Sequence, residues 1–280
     1  MNLIFRFSDF IIRIFLTLTR EKLSFEKRHK IILVSIVLSL GLLSTQLVPF
    51  YLTYRFIAGL SILTFFLTIW ALWEGLTSLK AIILVILPIL FTFGVSIYYF
   101  YLLPVRWLTR IPVTFLFGLI FYTLLLSQNV FNVASIRTIP LYRVASTTVF
   151  VLTLITAFML FNVIFVFNLF FVWNGILVFL ISFPLILQVI WSLDMEDISG
   201  FILICSAVLA LIIGEMAIAL SFWPISKPMV SVIISTGLYI TLGIITHTLK
   251  DRLNRVDVWL FFCWGLGVFL IAVLTTSWTG

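Results

Sequence analysis

Nine apolar runs, each of about 17 to 25 residues, follow one another along this chain. Each is long enough to cross roughly 30 Å of hydrocarbon as a helix. A segment in lipid has no water to satisfy its backbone N–H and C=O groups, so runs of this length are predicted to be helices. They cover residues 31–48, 56–76, 81–103, 111–127, 143–166, 169–193, 200–223, 229–249 and 257–278. The expected fold is therefore an all-α, polytopic transmembrane helical bundle of about nine spans. Two joints leave eight to ten spans open. One is the two-residue gap at Phe167 and Asn168, which a single kinked helix would also explain, and the other is the polar stretch after Ser127.

Composition supports this reading. Hydrophobic residues make up 63 % of the chain and charged residues only 10 %, with a mean hydropathy of +1.29. No soluble core of 280 residues has that balance. The segments between the runs are too short for a soluble domain, which needs about 50 residues. Two regions are expected: residues 1–30, an amphipathic interfacial helix with a basic juxtamembrane segment, and residues 31–280, the multi-span domain. In the first, Asn2, Arg6, Asp9, Arg13, Thr17 and Arg20 recur every three or four residues and draw a narrow polar stripe on an otherwise apolar helix. Such a helix suits the lipid headgroup boundary.

The formal charge of +7 does not point to nucleic acid, because the cations collect beside the spans, where they set orientation and meet anionic lipid. With the N-terminus inside, 13 Lys and Arg fall on the inner side and four on the outer side, although Arg106 and Arg110 together violate the rule locally. The expected arrangement is an integral protein of the bacterial cytoplasmic membrane, with its N-terminus cytoplasmic and, for nine spans, its C-terminus outside. Pro88 and Pro184 fall within spans and are expected to kink their helices. The other six prolines sit near span ends.

Glu215 is the acid that lies deepest in an apolar run, and ionisable groups at such depth are costly and need a partner or a role. Around it Ala207, Ala210, Gly214, Ala217 and Ser221 recur at spacings of three and four, a small-residue seam that lets another helix approach closely. At about 1.5 Å per residue, Glu215 lies some 22 Å along its helix. Thr236 and Tyr239 of the next span match that depth, so a carboxyl hydrogen-bonded to one of them is expected. A second constellation, Asn129, Asn132, Arg137 and Arg143, opens on the inner side and suits a lipid phosphate or an acidic group of a partner. The bland alternatives are a satisfied acid holding two helices together and an ordinary positive-inside loop.

No sequence motif fixes a reaction. There is no H-E-x-x-H, no G-x-S-x-G and no G-x-x-x-x-G-K, and no lysine in mid-span that could carry a retinal Schiff base. The histidines His29 and His247 are far apart, and the cysteines Cys205 and Cys263 read as core residues, so neither a metal site nor a cofactor is expected. The expected partners are the lipid bilayer and a protein within the membrane. The leading reading is a non-enzymatic membrane-embedded subunit or scaffold. A small transporter or proton-coupled carrier using Glu215 comes second, and an enzyme acting on a lipid-linked substrate third.

Overall fold

In the computed structural model the described residues are 26–73, 78–102, 107–134, 141–195 and 199–276. Among them the chain forms nine α-helices: α1 Lys27–Thr45, α2 Phe50–Leu72, α3 Ser78–Tyr101, α4 Trp107–Ala134, α5 Tyr142–Val166, α6 Phe171–Asp194, α7 Gly200–Leu220, α8 Lys227–Leu249 and α9 Arg255–Thr275. All nine are long and apolar enough to span a bilayer, so the chain is an all-α bundle and an integral membrane protein. The amphipathic stripe of residues 2–20 lies outside the described residues.

One boundary agrees with the sequence reading and one differs from it. The gap expected at Phe167 and Asn168 is a true break and not a kink, since Asn168 takes a positive φ of 48° between α5 and α6. Asparagine tolerates that left-handed backbone better than most residues. The polar stretch after Ser127 is not a fraying end, because α4 continues to Ala134. Two of its polar groups bond within the bundle. The Ser127 hydroxyl donates to the Thr123 carbonyl, and the Asn132 amide donates to the Leu72 carbonyl at the end of α2.

Helices α3, α5 and α6 form the centre, with α1, α2 and α4 on one flank and α7, α8 and α9 on the other. Buried hydroxyls at Ser35, Thr64, Thr153, Thr156 and Ser206 donate to carbonyls one turn back in their own helices, which lets them sit in an apolar interior. Pro88 and Pro184 lie inside α3 and α6 as expected. There the buried Gln188 of α6 accepts from the Leu87 backbone N–H at 3.1 Å, tying the two proline-bearing helices together.

At the far end from Lys27, Gln46 joins three helices. Its amide donates to the Tyr99 carbonyl, while Arg110 Nε donates to its Oε1, both at 2.9 Å. Tyr99 in turn donates from its hydroxyl to the Arg110 carbonyl. Arg110 is thus a structural cation, which explains why it breaks the expected charge asymmetry.

The closest helix contact is between α6 and α7. A Cβ added to Gly214 would lie 3.0 Å from the Gly175 carbonyl oxygen and 3.1 Å from Phe179 Cβ, and Gly175 in turn faces Ile218 and Gly214. The Asn174 amide donates to Ser221 Oγ at 3.1 Å beside this crossing. Gly214→Val should therefore lower the stability of the detergent-purified protein by about 1–3 kcal/mol through overpacking, read as a lower thermal midpoint. Gly267→Ala, where the added Cβ meets open space, should leave the midpoint unchanged or slightly raised.

Candidate functional site

The seam on α7 determines where Glu215 points. Ala210, Gly214 and Ala217 are buried, and the side of the helix that carries them packs on α6. Glu215 is one residue on from Gly214, about 100° around the axis. It is consequently exposed on the outer surface of the bundle, beside Leu211 and Ile212, and makes no hydrogen bond or ion pair with the described residues. Its Cα–Cβ bond tilts towards the helix N-terminus, away from the nearer end of α7 and deeper into the apolar zone.

The expected bond from Glu215 to Thr236 or Tyr239 is not formed. Helix α8 turns Gly237 towards α7, against Met216 and Ile213, and Thr236 and Tyr239 lie about 100° and 160° away from that face. The Thr236 hydroxyl donates to the Val232 carbonyl of its own helix. The Tyr239 ring packs edge-on against Phe150 of α5 and Phe261 of α9, with centroids 6.0 and 5.6 Å apart.

Tyr239 instead lines a cavity of about 250 Å³ at the membrane face that carries Lys27, where α5, α6, α8 and α9 meet. Phe150 and Phe261 form an apolar wall, and Ser146, Thr246, His247 and Lys250 supply polar groups. Tyr142 positions this corner, since its hydroxyl donates to the Ser192 carbonyl at 2.7 Å and pins the start of α5 to the end of α6. Phe261 lies so close to Gly243 that only glycine leaves room for the ring. His247 Nδ1 is 3.4 Å from Asp257 Oδ2, and the Asp257 carboxylate also accepts from the Asn254 N–H as part of a capping box that starts α9. Burial, and then the neighbouring charges of Arg252 and Arg143, lower the pKa of Lys250 from its usual value.

The second predicted constellation is therefore divided. The charge of Arg143 acts on Lys250, as does that of Arg252. Asn132 is buried and serves the junction of α4 with α2. Asn129 is half-buried, and its Oδ1 has no hydrogen-bond partner among the described residues. Arg137 lies outside the described residues. Sequence reading missed the cavity because its wall comes from four helices. The signal that was present is the coincidence of Arg143, Ser146 and Thr147 with Thr246, His247 and Lys250 at the same membrane face. The reading also missed Gln188, which accepts from the Leu87 N–H beside Pro88.

Comparison with curated proteins and with solved structures found no match. Residues 70–275 match the family described as "Protein of unknown function (DUF5656)". That stretch runs from the last turn of α2 to the end of α9 and includes Glu215 and the cavity at Lys250. A match over this much of the sequence shows that the chain belongs to that family.

Proposed function

We propose that the protein is a non-enzymatic, membrane-embedded subunit or scaffold, and that the outer face of α7 at Glu215 receives a transmembrane helix of a partner protein. The observation that carries this is the exposure of an acid deep along an apolar helix without a partner among the described residues. Exposed leucine and phenylalanine need nothing but lipid. A carboxyl group there costs roughly 2.5–3.5 kcal/mol on insertion scales, unless something supplies a hydrogen bond or a cation. A partner helix bearing a donor at that depth would relieve the cost and gain specificity from it. The shape of the bundle is consistent with an incomplete assembly, because α9 packs chiefly on α8 and only 11 % of its apolar window is buried. The excess of basic residues at the face of Lys27 and Lys250 supports a cytoplasmic N-terminus in a bacterial cytoplasmic membrane.

A second reading, a proton-coupled carrier, is favoured by a different observation. Gln128 and Asn162 are both buried, and neither amide makes a hydrogen bond among the described residues. Groups of this kind are unusual in a dry interior and suit a hydrated path. On the carrier reading Asn162→Leu abolishes proton flux into vesicles reconstituted with the pure chain. On the subunit reading the wild-type vesicles show no such flux.

The subunit reading makes a two-sided prediction for Glu215→Leu. The thermal midpoint of the isolated chain should hold or rise, because the substitution removes a lipid-facing carboxyl and breaks no intramolecular bond. Affinity purification from native membranes should at the same time lose a stoichiometric protein partner that the wild type retains. Glu215→Gln, which keeps hydrogen-bonding capacity, should lose less of it. A wild-type chain that purifies alone, or a Leu variant that keeps its partner, would count against the proposal.

A further inference from the structure

We infer that the cavity between α5, α6, α8 and α9 is an anion site, built to hold a phosphate group at the membrane face that carries Lys250. Lys250 lines the cavity, and the charges of Arg252 in the turn after α8 and of Arg143 at the start of α5 act on it. Three cations are thus gathered from two distant parts of the sequence. The described acids beside them leave these charges unmatched. Asp257 is directed to His247, and Asp251 makes no ion pair among the described residues. Like charges are not brought together without cost, and a phosphate between them would turn mutual repulsion into attraction.

The remaining lining suits the same ligand. Arg143 offers a planar fork of donors that matches two phosphate oxygens, whereas Lys250 is a compact point charge. The Thr246 hydroxyl is buried without a hydrogen-bond partner and can donate to a further oxygen. Below these groups the rings of Phe150 and Phe261 give an apolar wall. A phosphate ester can lay its carbon part on that wall while the charged end stays at the mouth.

The ligand could come from a lipid headgroup or from soluble phosphate, and two probes separate the sources. The full chain in uncharged detergent is titrated with dioctanoyl phosphatidic acid and, separately, with inorganic phosphate, and binding is read from the shift in thermal midpoint. At least one probe should raise the midpoint saturably, and the effect should weaken with added salt. Arg143→Gln and Lys250→Gln should each weaken binding about tenfold, the scale of one charged hydrogen bond. Lys250→Arg should preserve it. Arg55→Gln removes a cation exposed at the opposite membrane face and should change nothing. A response to the lipid alone identifies a headgroup site, and an equal response to inorganic phosphate identifies a soluble anion. The inference is overturned if the wild type binds neither probe. It is equally overturned if Arg55→Gln weakens binding as much as Arg143→Gln does. Neither result bears on Glu215, which lies on a different helix near the other end of the bundle.

Discussion

The close approach of α6 and α7 at Gly175 and Gly214 sets the rotation of α7, and with it the direction of the deepest acid in an apolar run. In lipid, helices gain little from hydrophobicity when they associate, so contact area and backbone proximity decide which faces meet. A seam of Ala, Gly and Ser gives α7 one face that can approach closely, and the Asn174–Ser221 hydrogen bond holds that choice near the end of the crossing. Once the seam faces α6, Glu215 has to face outward. The same geometry that stabilises the pair creates an exposed acid that no described residue satisfies.

The rest of the bundle handles polarity differently, which makes Glu215 stand out. Most buried hydroxyls return to carbonyls of their own helices, Gln188 meets a backbone N–H beside Pro88, and Gln46 with Arg110 and Tyr99 closes a network at one membrane face. Where polar groups remain without partners they fall into two kinds. Gln128 and Asn162 are sealed in the interior, whereas Glu215, Lys250 and Arg143 are open to whatever lies outside. The open groups also differ in sign and position. An acid lies within the apolar zone near one end, and a group of cations stands at the opposite membrane face, so they call for different occupants.

Much of the fold was legible in the sequence because its cause is local. The length of an apolar run, the position of a proline and the 3.6-residue spacing of small residues are properties of one segment, and they placed the helices, Pro88 and Pro184 inside theirs, and the seam on α7. The break at Phe167 and Asn168 was legible too, but the continuation of α4 escaped, because it depends on a side-chain bond visible only in three dimensions. The candidate site was less legible for the same reason. Depth matched Glu215 to Thr236 and Tyr239 correctly in one dimension, but helix rotation is the second coordinate, and Gly237 takes the face of α8 turned to α7. Arg143 was singled out from its charge and position. Its neighbours Lys250 and Arg252, about a hundred residues away in sequence, could be found only from the packing of α5 on α8.

The central claim is that the face of α7 around Glu215 meets protein and not lipid. It is tested most directly by placing a photo-crosslinking amino acid at Leu211 or Ile212, which flank Glu215 on that face, and irradiating intact native membranes. The account predicts a discrete adduct with one other polypeptide, lost when Glu215→Leu is introduced into the same chain. Adducts with lipid alone, unchanged by the Leu substitution, would contradict it.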